Sequence, residues 1–157
     1  MKINSIHLQN FRQFVDEKIE FSDSSDQKVS VIYGKNYIGK TTLIKALLWG
    51  LYQHDSSIFD DPVHINRERQ NRTTSLGEKI TSTVTIELDH EGFSYVIQTS
   101  QTYQYQRASD GNTKFVPMSK DPRRDIVKYD DEGNSIPVAA DDVNKEIELI
   151  LPSNLRN

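Results

Sequence analysis

The chain has 157 residues, 35% hydrophobic and 27% charged, proportions that suit one globular unit and exclude a disordered chain. It holds no run of eighteen apolar residues and no cysteine, which excludes a membrane-spanning helix, a disulfide framework and a thiolate zinc site, and fits a cytoplasmic protein. A net charge of -4 argues against a surface given over to nucleic acid and leaves two local basic groups as candidates for DNA contact, Arg67, Arg69 and Arg72, then Arg123, Arg124 and Lys128.

In chain order, Ile3, Ile6 and Leu8 alternate with polar residues, and Val15, Ile19 and Phe21 follow a break at Asn10 to Phe14, which predicts two paired strands. Val29, Val31, Ile32 and Tyr33 form a short apolar run rich in β-branched residues, predicting a buried strand that leads into Gly34. From Lys40 to Tyr52, the residues Leu43, Ile44, Leu47, Leu48 and Leu51 recur at helical spacing. The expected first segment, 1–53, is thus a hairpin, a strand and a helix. Residues 54–77 are polar, contain Asp61-Pro62, and read as a surface excursion with at most one short turn. Residues 78–140 alternate in short runs between turn signals at Glu91-Gly92, Asp110-Gly111 and Glu132-Gly133-Asn134, the pattern of an antiparallel β meander. A helix over 141–152 closes the chain, with Asp141 as its cap, Val143, Ile147, Ile150 and Leu151 on one face, and Pro152 as its stop. The fold class is α/β in a single unit, 1–157, with a central strand and helix plus the meander.

Gly34-Lys35-Asn36-Tyr37-Ile38-Gly39-Lys40-Thr41 satisfies G-x-x-x-x-G-K-[ST], with the predicted strand before it and the helix after, the context that a P-loop requires. The chemistry such a loop performs is specific to polyphosphate. Backbone N–H groups of the loop and first helical turn point inward, and the helix dipole adds partial positive charge, so the loop wraps an anion. Lys40 is placed to reach the β- and γ-phosphates as a point charge, Thr41 to offer its hydroxyl to a magnesium ion, and Thr42 to donate to the α-phosphate. ATP and Mg2+ are the expected ligands, with Gly39 leaving room for close backbone approach. A glycine-rich turn that merely caps a core helix would account for Gly34 and Gly39 but not for Lys40 at the head of an apolar helix.

Other residues carry weaker signals. His7, His54, His64 and His90 have no metal-ligand spacing and read as surface or satisfied turn residues. Tyr103 and Tyr105 alternate with glutamines beside Arg107, which marks a solvent-facing strand more often than a base-stacking surface. Asp89 to Gly92 and Asp130 to Gly133 fit the D-x-x-G of a switch GTPase, an alternative weakened because Asn144-Lys145 is followed by Glu146 and Ile147 rather than completing N-K-x-D.

Three stretches together resemble the ATPase heads of the SMC, RecF, RecN and SbcC group, an ABC-type class of DNA-processing ATPases: Ile6 to Phe14 with its Asn10-Phe11-Arg12-Gln13-Phe14 turn, Gly34 to Thr42, and Leu43 to Tyr52. Asp61-Pro62 to Asn66, the Val84 to Ile97 hairpin and Ile150-Leu151-Pro152 also look like the DndD type of DNA sulfur-modification protein. The resemblance implies a P-loop NTPase of the ABC/SMC-type head, with this chain as its N-terminal lobe. By the same resemblance Arg12 reaches back to the nucleotide phosphates, and Asn36 faces the γ-phosphate and metal. Tyr37 and Ile38 depart from the group, which has glycine and a small residue there; a positive φ at Tyr37 would cost about 1–2 kcal/mol, so either the loop takes another shape or affinity falls.

The group's glutamine loop, L-S-G-G signature, Asp-Glu-ended Walker B strand and switch histidine are not found. No two glycines are adjacent, and Asp130, Asp131 and Glu132 follow a run interrupted by Lys128 and lead into the Gly133-Asn134 turn. The resemblance places those motifs in a C-terminal half beyond a coiled coil. The implied parent dimerises head to head around two ATP molecules and acts on DNA, in repair, phosphorothioate modification or defence, without a membrane. This chain alone would then bind ATP and hydrolyse it weakly or not at all. A transporter-type ABC ATPase fragment is the remaining alternative, against which the Asn10 to Phe14 opening speaks.

Overall fold

The computed structural model describes residues 1–21, 29–35, 39–52, 63–109 and 111–152, with only the backbone of Ala140. Its elements are β1 (Lys2–Phe11), β2 (Phe14–Glu20), α1 (Lys40–Tyr52), α2 (Arg67–Arg72), β3 (Lys79–His90), β4 (Phe93–Arg107), β5 (Thr113–Pro117), β6 (Arg123–Tyr129), β7 (Ser135–Ile136) and α3 (Val143–Ile150). Among the described residues the strands form one sheet in the order β2-β1-β3-β4-β6-β7, with β5 also on β4, and every pairing is antiparallel. The long strand β4 pairs with β6 over 94–100 and with β5 over 103–107. The β3–β4 turn at Glu91-Gly92 has positive φ at both residues, 50° and 83°, the geometry that matches a two-residue hairpin loop to strand twist.

Alternation decides which face is covered. Ile6, Leu8, Val84, Ile86, Leu88, Tyr95 and Ile97 turn inward into one core with Leu43, Ala46, Trp49 and Leu51 of α1 and Val143, Ile147 and Ile150 of α3. Out-of-phase residues make a polar face, where His7 pairs with Asp16 at 2.5 Å, Lys18 with Glu87 at 3.4 Å, and Gln98 donates to Thr85 at 3.2 Å. Helix α1 lies close on the sheet because Gly50 has no side chain: a Cβ there would stand 2.7 Å from Ile86 Cδ1 and 3.0 Å from Val84 Cγ1. Thr99 Oγ1 donates to the Gly50 carbonyl at 2.9 Å, giving an acceptor near the helix C-terminus a buried partner. Helix α3 is held by Glu146, which accepts from Lys128 Nζ at 2.7 Å and Tyr95 OH at 3.0 Å, while Lys128 also sits 4.1 Å from the Phe93 ring centroid.

Several sequence expectations are corrected. Val29 to Tyr33 is not a strand: no described strand pairs with it, and Val29, Val31 and Tyr33 are 76%, 84% and 97% exposed. An apolar run is buried only when neighbours exist on its flanks, and the meander closes without it. Within the expected excursion, α2 forms, capped by Asn66; Asp61-Pro62 and His54 lie outside the described residues. Asp141 is not a side-chain cap: it falls in a 3-10 turn, Ala140–Asp142, while Asp142 precedes α3 and pairs with Lys145 at 2.7 Å. Tyr103 is buried rather than solvent-facing, and His64 is a core residue packed 5.6 Å from Phe11 and 5.4 Å from Trp49, centroid to centroid.

Candidate functional site

The helix that begins at Lys40 opens onto a cavity of about 900 Å3. Gly39 takes φ +116°, a backbone that L side chains rarely adopt, and its carbonyl accepts from Leu43 N at 2.8 Å, closing the first helical turn. The N–H groups of Lys40, Thr41 and Thr42 are among those that a helix start leaves without intrahelical acceptors, and all three residues line the cavity. Lys40 Nζ donates to the carbonyls of Gly34 at 2.6 Å and Lys35 at 2.7 Å. An ammonium has three donors. Two loop carbonyls therefore anchor the charge and leave one donor for an acceptor in the cavity.

A second wall comes from the opening turn. Arg12, at φ +52°, links two short segments: its N–H donates to His64 O at 2.7 Å and its carbonyl accepts from Arg67 N at 3.2 Å. The Phe11–Ile65 bridge and Asn66 N donating to Asn10 O at 2.8 Å complete this clasp. Phe11, His64 and Trp49 pack beneath it, and Tyr103 OH accepts from His64 N at 3.3 Å. Asn66 accepts from the N–H groups of Glu68 and Arg69 at 3.1 and 3.2 Å, the role for which asparagine is favoured at a helix start. The clasp brings Arg12 and Gln13 of the opening turn, Val15 of β2, the cap Asn66, and Arg67 and Glu68 of α2 around the same cavity as Gly39 to Thr42.

The structure thus gathers Arg12, Gly39, Lys40, Thr41 and Thr42 at one cavity, with Gly34 and Lys35 joined to it through the Lys40 bonds. Asn36, Tyr37 and Ile38 lie outside the described residues. Arg67, expected in a basic patch, instead lines the cavity; Asn66, Glu68 and Gln13 were not anticipated there. Four of the other basic candidates have acceptors of their own. Arg72 pairs with Glu68, Arg123 with Asp125 at 2.9 Å, Lys128 with Glu146, and Arg124 Nε donates to Thr99 at 3.3 Å. Asp130 is a turn residue: it accepts from Glu132 N, Asn134 N and Asn134 Nδ2 at 3.0, 2.8 and 3.1 Å, and the Asn134 N–H leads in holding its carboxyl below the usual carboxylate range. Both D-x-x-G matches fall at hairpin ends, between β3 and β4 and between β6 and β7. Among the described residues, no helix is long and apolar enough to cross a membrane, and no group of three His, Cys, Asp or Glu is placed to hold a metal.

A lysine held on two carbonyls of its own loop and a helix start opening onto a cationic cavity fit a P-loop NTPase, an ATP-binding class, although the run leading into Gly34 is not paired as the strand that usually precedes such a loop. The sequence profile of the AAA domain family matches residues 5–152, and the chain belongs to that family. Among solved structures, a chain from "Structural biochemistry of ATP-driven dimerization and DNA stimulated activation of SMC ATPases" is similar at 20% identity and TM-score 0.49, covering 80% of this chain and 72% of that one. No curated protein matches.

Proposed function

We propose that the cavity binds the triphosphate of Mg-ATP and that the chain is the N-terminal lobe, 1–157, of an SMC-like ATPase head. The observation that carries this reading is Lys40, tied to the Gly34 and Lys35 carbonyls at the mouth of a cavity that the α1 N-terminus also faces. The residues fit the ligand. Lys40 keeps one donor for phosphate, and Arg12 and Arg67 add guanidinium charge from the clasp. The Gly39 to Thr42 backbone supplies the amides, Thr42 a further hydroxyl donor, and the Thr41 hydroxyl a hard oxygen suited to magnesium. Magnesium supplies charge neutralisation between phosphate oxygens when it is bound. Gly34, Lys35, Asn36, Tyr37 and Ile38 complete the loop in this reading.

The parent's work is processing DNA, in repair, phosphorothioate modification of the DndD type or defence, in the cytoplasm and as a head-to-head homodimer. The resemblance of the Asn10 to Phe14 turn and the Gly34 to Tyr52 segment supports that assignment. The exposed apolar run at Val29, Val31 and Tyr33 supports a C-terminal half of the head as the partner that covers it. Hydrolysis by this lobe alone is expected to be negligible, because the resemblance places the acidic group that orients the attacking water in the C-terminal half, and the carboxylate described at the cavity, Glu68, is paired with Arg72. Calorimetric titration of Mg-ATP and Mg-GTP into the wild type and Lys40→Ala tests the reading. Saturable ATP binding that the substitution abolishes is expected; equal heats for both proteins would refute it.

A further inference from the structure

Besides its cationic groups, the cavity carries a neutral polar side chain seated on the P-loop itself. A Cβ built on Gly39 would lie 2.1 Å from Gln13 Nε2 and 3.1 Å from Gln13 Cδ, so the Gln13 carboxamide fills the space that a side chain at 39 would occupy. Phe14 Cζ also lies 3.0 Å from the same point. Gln13 and Gly39 both line the cavity, and the turn that carries Gln13 is held in place by the two backbone bonds of Arg12 to His64 and Arg67. A carboxamide in such a position has two N–H donors that it can give to an anion without adding charge.

We propose that Gln13 is a phosphate ligand of this site, donating from Nε2 to an oxygen of a nucleotide seated against Gly39. This rests on the reading of the cavity as a nucleoside-triphosphate site. Gln13 then works beside Lys40 and Arg12 as a neutral hydrogen-bond donor, and it ties the opening turn to the loop whenever phosphate is present. A hydrogen bond to a charged group at this solvent-facing position is worth about tenfold in affinity.

The test titrates Mg-ATP calorimetrically into the full chain as wild type, Gln13→Ala, Gln13→Glu and Lys40→Ala. Gln13→Glu keeps the size and the seat on Gly39 but replaces the donor by a negative charge. Gln13→Ala is expected to weaken ATP binding about tenfold and Gln13→Glu by at least as much, with unfolding midpoints of the ligand-free variants close to wild type. Wild-type binding by Lys40→Ala would reject the nucleotide site itself. With binding lost in Lys40→Ala, a Gln13→Glu affinity within about twofold of wild type would overturn the ligand role, even if Gln13→Ala were weak, because a group of the same shape without the donor would then suffice.

Discussion

Replacing Gly50 by alanine perturbs the contact that seats α1, and the lysine at its head, on the sheet. The added Cβ would lie 2.7 Å from Ile86 Cδ1, 3.0 Å from Val84 Cγ1 and 3.5 Å from Ile86 Cγ1, and both neighbours are wholly buried with 0% exposure, so neither can swing into solvent. Relief requires the helix to lift or the β3 side chains to leave their rotamers, an overpacking cost of about 1–3 kcal/mol. Lifting also stretches the 2.9 Å bond from Thr99 Oγ1 to Gly50 O, and a buried hydroxyl deprived of its acceptor adds about 1 kcal/mol. Alanine is favoured over glycine in a helix by about 1 kcal/mol, which offsets part of this. The net expectation is a loss of about 2 kcal/mol, or roughly 4–8 °C in Tm for a chain of this size. Urea unfolding followed by Trp49 fluorescence measures it. An alanine variant as stable as wild type, or more so, would refute the close-packing account of Gly50.

Asn66→Ala removes the acceptor for Glu68 N and Arg69 N, so α2 should lose about 1 kcal/mol and release Arg67 from the cavity; paired urea and ATP titrations should show both losses, and unchanged values in both would contradict the clasp. Stability should also fall at alkaline pH. Lys128 is raised above its ordinary value chiefly by its hydrogen bond to Glu146, and Tyr95 is raised chiefly by burial. Both groups bind protons more tightly when folded, so their stabilisation is fully present below about pH 10 and lost as pH rises through the folded values. Urea midpoints measured across that range should decline, with a smaller decline in Glu146→Gln; midpoints constant to the alkaline limit would contradict the linkage.

Local periodicity carried much of this fold. The spacing of Leu43, Leu47 and Leu51 marks α1, and the alternation through Val84, Ile86 and Leu88 marks β3. The inward phase of Tyr95 and Ile97, continued through Thr99 and Gln101, also reaches Tyr103, so its burial was legible from the same pattern had it been extended. Asn66 preceding Arg67-Glu68 was a readable helix start, obscured because the 54–77 stretch is mostly polar and has little periodicity. The clasp was not legible, because the Phe11–Ile65 bridge and the Arg12–His64 and Arg12–Arg67 bonds join segments with no shared local pattern. The exposure of Val29 to Tyr33 was not legible either: an apolar run reports that a strand can be buried, and only its neighbours decide whether it is. The G-x-x-x-x-G-K-[ST] spacing singles out Lys40, but its bonds to the Gly34 and Lys35 carbonyls are tertiary detail that the spacing does not carry.

Amide NMR on the isotopically labelled full chain can show whether backbone amides at the start of α1 grip phosphate. Addition of Mg-ATP should move the resonances of Gly39, Lys40, Thr41 and Thr42 first and furthest, with Arg12 and Arg67 following and Lys40→Ala abolishing the response. Saturating nucleotide that leaves those four amides in place, or that shifts only residues on the polar face around His7 and Gln98, would contradict that grip.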